Sequence, residues 1–494
     1  MKRIILSIIA TGFMTLSCTK LDVDLYNQIP VEKFPENAGQ VKLLPAPVYK
    51  QLQRMTDNGG WWFAQEVTGD AVCAPTRHTD WDDGGKWRDL HLHNWNNQTE
   101  SVSQMWDFFY GGVNEANQVI ETLEPSGDNP DVVPIIAQMK VMRAYYYYLL
   151  IDNYGGVPYV TSFSEADPSP EKMDRALVFA EVVKELEDNI DFLPETSSKT
   201  VVNKYTAYTI LAKMYLNAEV YTGTPEWAKA EAAAQAVIDG GMYSLEAGVS
   251  APFVTNNDNS VENIFTIPYD EINFTNFNLH MRTLHYQSQA TFDMATGPWN
   301  GFAVMADYYN SFDDADLRKE KYFLVGKQYA IDGTTVLISE RSNEPLVFTV
   351  DIPALHMDQS FSAKEAYDSG VRANKFEVKV GAMQDLSNDY PIFRYADVLL
   401  MKAEAAVRQG KSGDAEMNMT RSRAGLADLS GATLDDVLLE RKHEMFWEGH
   451  NRQDLIRFGK FGEAWWEKDA VADGSNLTYP IPQWAIDANP NLGK

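Results

Sequence analysis

The sequence predicts a mainly α-helical protein, with paired helices forming a scaffold for a large irregular insertion subdomain that contains a few short β-strands. Three observations predict it. Apolar residues recur at helical spacing up to about residue 240, and again from Arg394 onward. The stretch 241–393 between them has no long helical stripe; it is rich in Asn, Asp, Phe and Tyr, with short β-prone runs such as Val336–Ile338 and Leu346–Val350. The 494 residues, 45% hydrophobic and 23% charged, are enough to bury a large core and lack the composition of a disordered chain.

The elements follow in chain order. Lys2 and Arg3 precede an apolar run, Ile4–Leu16, too short to cross a bilayer, and then Ser17 and Cys18. This arrangement resembles a lipoprotein signal peptide over 1–17, in which cleavage leaves Cys18 as the new N-terminus with diacylglycerol on its sulfur. Multiple acyl chains, palmitate included, each contribute about 0.8 kcal/mol per buried methylene and would anchor the chain stably. With Cys73 the only other cysteine, no disulfide framework can be built. Residues 18–45 are expected to form an extended leader. Behind Pro134, a good first-turn residue, Ile135, Met139, Met142, Tyr146, Leu149 and Leu150 recur at helical spacing. The Tyr205–Tyr221 segment breaks at Thr222-Gly223, and a second helix, Glu226–Asp239, closes on Gly240-Gly241. A helix, a tight turn and an alanine-rich helix make a TPR-like hairpin, and Arg394–Gln409 with Asp414–Arg423 makes another. Thr433 starts a further helix with Asp436 as its capping-box partner; Leu434, Val437, Leu438 and Met445 form its buried stripe and Gly449 stops it.

Charge narrows the partners. The formal net charge of −28 repels nucleic acid phosphates and anionic lipid, so both are discounted, although local basic spots could still hold an acidic ligand. No GxSxG or HExxH occurs. Asp80 stands where a phosphate-binding loop ending at Gly85-Lys86 needs its first glycine. Glu440, Glu444 and Glu448 share a helical face at four-residue spacing. Glycoside hydrolysis needs carboxylates facing each other across a cleft, so beside Arg441, Arg452 and Arg457 these three are expected to form a structural ion-pair network.

Five segments in order carry a family resemblance: Trp106–Asn117 (WDFFYGGVNEAN), Arg143–Leu149 with Tyr154–Pro158, Arg394–Gly410, Glu440–Phe461, and Tyr479–Pro482 with Asn489-Pro490. Together they resemble the SusD/RagB family of Bacteroidetes surface lipoproteins that capture nutrients, mostly glycans. The resemblance implies a TPR-like scaffold, no catalysis, and location at the outer membrane, lipid-anchored and facing the exterior. It implies two partners, an oligosaccharide and a SusC-like TonB-dependent barrel that the lipoprotein covers as a lid. A peptide ligand, as RagB-like members take, or an interaction scaffold with no small ligand are the alternatives. The organisation expected is a helical region at 46–240 with an aromatic ligand loop at about 59–95, the ligand-binding insertion at 241–393 and a C-terminal helical region at 394–494.

Several of the twelve tryptophans sit in loop-like sequence, at Trp61 and Trp62, at Trp81 and Trp87, and at Trp299. A flat ring can cover the C–H face of a sugar while short polar groups bond its hydroxyls, and a neutral polymer suits that pairing. A loop tryptophan can equally plug a core, as Trp106, Trp447, Trp465 and Trp466 are expected to do. By region the resemblance points to the loop before the WxxxY helix and to the insertion. The ligand candidates are therefore Trp61, Trp62, Arg77, Asp80, Trp81, Trp87, Trp299, Asn300 and Tyr308. No cofactor is expected beyond a structural calcium at Asp80, Asp82 and Asp83, which resemble part of an oxygen-ligand loop without the full EF-hand spacing. His91 and His93, alternating as on a strand, are weighed with His78 as zinc ligands.

Overall fold

The computed structural model describes residues 38–493. Cys18, the 1–17 segment and the leader up to residue 37 lie outside the described residues. The chain divides into two units, Met1–Leu44 and Pro45–Lys494. Of the first, the short helix Ala38–Val41 is described.

The helices that matter here are α1 (Trp61–Glu66), α2 (Lys86–His91), α3 (Glu100–Leu123), α4 (Val133–Tyr154), α5 (Arg175–Asn189), α6 (Lys204–Leu216), α7 (Trp227–Asp239), α8 (Tyr395–Arg408), α9 (Asp414–Arg423), α10 (Leu434–Glu444) and α11 (Asn451–Arg457). Successive helices pack on one another: α3 on α4, α4 on α5, α6 on α7, α7 on α8, and α8 on α9 and α10. The α3–α4 contact explains the paired glycines of the WDFFYGGVNEAN segment. A Cβ at Gly112 would lie 2.3 Å from the Tyr146 ring, so only glycine lets the helices approach this closely. From Val141 to Tyr154 every residue of α4 is buried. Three of its consecutive tyrosines enter the core with their hydroxyls bonded: Tyr146 donates to Val48 O (2.6 Å), Tyr147 to Val160 O (2.8 Å) and Tyr148 to the Gln453 amide oxygen (3.0 Å).

The Thr433–Asp436 capping box forms as the sequence indicates, with Asp436 Oδ2 accepting from Thr433 N at 2.8 Å. The helix it starts ends earlier than Gly449, at Glu444. The Lys442 carbonyl, which would accept the next helical bond, takes the Tyr308 hydroxyl instead, and the Glu444 carbonyl is taken by Lys375 Nζ (2.7 Å) and Arg394 Nη2 (2.5 Å). The three glutamates do lie in buried ion pairs, but with different cations from those proximity in sequence suggested. Arg318 binds Asp316 (2.8 Å), Glu440 (2.8 Å) and Glu444 (3.0 Å). Arg394 binds Glu262 (2.8 Å), Glu444 (2.6 Å) and Glu448 (2.7 Å). Arg441 and Arg457 instead join a second cluster with Asp397, Glu404 and Asp454. These clusters tie the insertion to the C-terminal helices through Arg318, Lys375 and Glu262.

The strands are short and join distant parts of the chain: β1 (Val72–Cys73), β2 (Thr76–Arg77), β3 (Asn263–Ile267), β4 (Ala303–Val304), β5 (His356–Met357) and β6 (Tyr390–Arg394) are the ones that matter here. β1 pairs antiparallel with β4 through Val72–Val304 and Cys73–Ala303. β2 pairs parallel with β5 through Thr76–His356 and Arg77–Met357. β3 and β6 pair antiparallel across an irregular register. Cys73, Ala303, Met305, Ile352, Leu355, Met357, Ala366 and Tyr367 close an apolar cluster beneath this junction.

Candidate functional site

The junction of β1, β2, β4 and β5 brings the 77–88 loop against the 299–302 loop. Arg77 and Asp80 close a tight turn by exchanging backbone bonds, N to O at 2.8 and 3.0 Å. His78 (φ 57°), Trp81 (φ 60°) and Asn300 (φ 53°) all hold left-handed backbone, a conformation costing non-glycine residues about 1–3 kcal/mol and often found where a surface must be held for binding. Trp81 is fixed by its indole N–H, which donates to Trp299 O at 2.7 Å. Its ring lies 5.2 Å from that of Phe302. A Cβ at residue 301 would lie 2.3 Å from the Trp81 ring, so Gly301 makes the seat in which the indole rests. Trp299 stands over the Arg282 guanidinium, 5.1 Å from the ring centroid, with Phe63 at 4.9 Å. Both Trp81 and Trp299 remain partly exposed.

A polar edge adjoins the indoles. The Tyr286 hydroxyl donates to Asp80 Oδ2 at 2.5 Å. Burial first, and the Asp80 charge second, push its pKa above the usual tyrosine value. The Arg341 guanidinium lies 5.7 Å from the Tyr286 ring centroid and 5.2 Å from that of Tyr367. Its Nη2 is 3.7 Å from Asp80 Oδ2, beyond hydrogen-bond reach, and its side chain is 53% exposed. Ser339 and Ser342, on either side of it, donate their hydroxyls to the Asp368 carboxylate at 2.7 and 2.9 Å, which pins the segment bearing Arg341. The result is a partly exposed aromatic shelf, Trp81, Trp299 and Tyr286, edged by one carboxylate and one guanidinium.

Of the candidates read from sequence, Trp81, Trp299 and Asp80 therefore meet on this surface, and the other six are interior. Trp62 is fully buried, stacked on Phe302 (6.2 Å) and edge-on to Trp447 (4.6 Å). Trp61 is nearly buried against Gly449, where a Cβ would come within 2.4 Å of its ring. Trp87, 2% exposed, donates its indole N–H to Asp83 Oδ2 (2.7 Å) and packs between Phe63 and Phe302. Arg77 donates to the carbonyls of Gly301 (3.1 Å), Ala366 (2.7 Å) and Ser369 (3.2 Å). Asn300 bridges Tyr367 O and the Arg372 guanidinium, both at 2.9 Å. Tyr308 is buried with its hydroxyl on Lys442 O (2.5 Å). The segments read as loops are packed inside the fold, Trp61 and Trp62 on α1, Trp87 on α2 and Tyr308 on the short helix Ala306–Asn310, and glycines such as Gly449 permit close packing of rings rather than exposure of them. Tyr286, Arg341 and Tyr367 were not singled out from sequence: no glycine-rich flank or tryptophan marks them, and only the fold brings them to Asp80.

The acidic loop does not gather its oxygens. Asp80 faces Tyr286, Asp82 pairs with Arg88 (2.8 Å) and Asp83 accepts from Trp87. The histidines diverge too, and His91 ends helix α2 instead of lying on a strand. His78 bonds Phe361 O (3.0 Å), His91 bonds Trp466 O (2.8 Å), and His93 bonds Thr68 O (2.8 Å) and Asn476 (2.7 Å). Among the described residues no three His, Cys, Asp or Glu side chains converge as metal ligands.

Residues 50–216 match a family described as "Starch-binding associating with outer membrane", and residues 358–479 match the SusD family; the two matches together span more than half of the chain. The starch-binding protein SusD of Bacteroides thetaiotaomicron is 24% identical over 397 residues, covering 72% of each chain. SusD-like protein P38 of Formosa agariphila is 23% identical over 496 residues, covering 92% of this chain and 90% of its own. Surface glycan-binding protein A of B. thetaiotaomicron, solved with laminarihexaose, superposes with a TM-score of 0.72 at 20% identity, covering 92% of this chain and 98% of its own. A laminarin-binding SusD-like protein gives 0.73 at 22% identity, over 91% of this chain and 97% of its own. With five sequence motifs in order, two matching family regions and the same fold along nine-tenths of its length, the chain belongs to the SusD/RagB family.

Proposed function

We propose that this protein captures a glycan, without cleaving it, at the outer face of an outer membrane and passes it to a SusC-like TonB-dependent barrel. The observation that carries glycan capture is the shelf itself. Trp81 and Trp299 are locked together by the 2.7 Å indole bond yet keep part of each ring open, beside the Asp80–Tyr286 pair and Arg341. An aromatic plate with a donor and an acceptor at its edge matches a sugar's apolar face and the hydroxyls around it. Relatives described as starch- and laminarin-binding support the reading. So does the use of Glu440, Glu444 and Glu448 in buried ion pairs, which leaves them unable to face one another across a substrate cleft. Among the described residues no helix is long and apolar enough to cross a membrane, which fits attachment through a lipid on Cys18. Ligand held on the shelf would bias the barrel's lid toward closure to the extent that the closed state holds it better.

Calorimetry with purified protein and a polysaccharide panel tests capture. Trp81→Ala and Trp299→Ala should each weaken binding while the thermal midpoint stays near that of the parent. Unchanged affinity in both overturns this site, binding to peptides alone replaces the ligand class, and release of shortened product overturns a purely binding role. Cys18→Ala should move the protein out of the membrane fraction, and the barrel should copurify with the parent protein from detergent-solubilised membranes.

A further inference from the structure

We propose that the glycan taken by this shelf is anionic, bearing carboxylates or sulfate esters, and that Arg341 is the group that reads its charge. The inference rests on the glycan-capture reading above and names the substrate class for the same site. It comes from the way guanidinium charge is compensated in different parts of the molecule. The chain carries 42 Lys and Arg against 70 Asp and Glu, and most buried arginines elsewhere are closely paired, Arg452, with Asp152 at 3.9 Å, being an exception. Arg318, Arg394, Arg423, Arg441 and Arg457 each lie within 3.0 Å of at least one carboxylate. The three buried arginines under the shelf are different. Among the described residues Arg77, Arg282 and Arg372 form no ion pair. Arg77 donates to three carbonyls. Arg282 donates to the side-chain oxygens of Asn278 (3.1 Å) and Asn58 (2.8 Å). Arg372 donates to Ser369 O, Gly370 O, Tyr367 O and Asn300. Arg77 Nη2 and Arg372 Nε are buried with no hydrogen-bond partner at all.

Three carboxylates, Asp80, Asp368 and Asp385, lie around this group of cations, and each keeps its negative charge while accepting from neutral donors. Asp80 takes the Tyr286 hydroxyl and stands 3.7 Å from Arg341 Nη2. Asp368 takes the hydroxyls of Ser339 and Ser342 and lies 3.4 Å from His285 Nε2, whose imidazole burial holds neutral by lowering its pKa to about 4. Asp385 reaches Arg282 through Asn278, whose amide it accepts at 3.2 Å. Burial lowers Arg77 and Arg282 to about 10 against the opposing pull of Asp368 and Asp385, so both stay charged at neutral pH, and it pushes Arg372 well below its ordinary value. Four guanidinia, those of Arg77, Arg282, Arg372 and Arg341, thus stand against these three carboxylates, and Arg341, 3.7 Å from Asp80, is the one of the four that reaches solvent. Its guanidinium is stacked on two tyrosines, makes no hydrogen bond to a described residue, and offers a planar fork suited to a carboxylate or sulfate. A neutral sugar would use those N–H groups but would bring no negative charge to match the one guanidinium in excess of the three carboxylates.

The test is calorimetry of the full chain against three groups of polysaccharide: uronate-bearing, sulfated and neutral, with polygalacturonate, carrageenan and laminarin among them. The best anionic ligand should bind at least about tenfold more tightly than the best neutral one, and the arm it belongs to separates carboxylate from sulfate. Arg341→Gln should weaken that ligand by about tenfold or more while leaving the thermal midpoint unchanged, and Arg341→Lys should restore part of the loss. Tightest binding to a neutral polysaccharide, or anionic binding indifferent to Arg341→Gln, overturns the proposal and leaves glycan capture standing. Failure of all three groups to bind overturns glycan capture and this inference with it.

Discussion

Replacing Gly301 with alanine disturbs the shelf with a single methyl group. The added Cβ would lie 2.3, 2.5 and 2.6 Å from three atoms of the Trp81 indole, where ordinary contact begins at 3.4 Å. The ring must therefore retreat by about 1 Å, since a packed carbon cannot be approached more closely than van der Waals contact. The Trp81 Nε1 to Trp299 O bond, 2.7 Å in the parent, stretches past useful length, a loss of about 0.5–1.5 kcal/mol. Forcing the side chain off its rotamer adds about 0.5–1.5 kcal/mol. The backbone at 301 does not lie in the left-handed region, so alanine itself is tolerated there. If a sugar must rest on the indole in its parental position, roughly 1–3 kcal/mol of shelf distortion appears as a loss of affinity of about 5- to 150-fold. Isothermal titration of the parent and Gly301→Ala with the same ligand measures it, and thermal denaturation shows that the scaffold survives. Parental affinity in Gly301→Ala would show that the indole's position does not matter, and the stacking argument would fall.

Other perturbations separate the buried residues from the shelf. Trp87→Ala should lower folding stability by about 3–5 kcal/mol in denaturant titrations, because it removes a buried indole and leaves a cavity beside Phe63 and Phe302. Arg394→Met leaves Glu262, Glu444 and Glu448 buried without this shared cation and should cost about 3–5 kcal/mol or abolish soluble expression. Acid should destabilise the protein below about pH 6.5. Burial lowers His91, His280 and His285 to about 4, His93 to about 3 and His443 to about 2, so the unfolded chain takes up these protons first and stability falls with pH across that window, as melts between pH 7 and 4 would show. Glu66 works in the opposite sense. Burial raises it to about 8, so the folded state holds a proton that the unfolded chain has lost, and its contribution declines as pH rises from 4.5 through 8. Glu66→Gln should remove that decline, and melts of the two proteins at pH 6 and 9 should diverge at the higher pH.

The sequence by itself determined the helical scaffold. Periodicity located the Trp227–Asp239 and Asp414–Arg423 helices to within a residue, and Thr433 with Asp436 placed a helix start, because caps and amphipathic stripes are written in residues close together along the chain. It also showed that Glu440, Glu444 and Glu448 belong to an ion-pair network, and it singled out Trp81, Trp299 and Asp80. Tertiary structure decided which cations complete that network, since Arg318, Arg394 and Lys375 come from segments far along the chain, and the Lys442 and Glu444 carbonyls that a helix running on to Gly449 would use are taken by Tyr308, Lys375 and Arg394. It likewise decided which aromatic rings stay open. A tryptophan between glycines has the same local signature whether its neighbours across the fold cover it or not. Trp87 is covered by Phe63 and Phe302 and Trp62 by Trp447, whereas Trp81 is held at the surface by a carbonyl 218 residues away and joined there by Tyr286 and Arg341. Burial is a property of contacts between residues remote in sequence, and those contacts exist only once the strands at 72–77, 303–304 and 356–357 have paired.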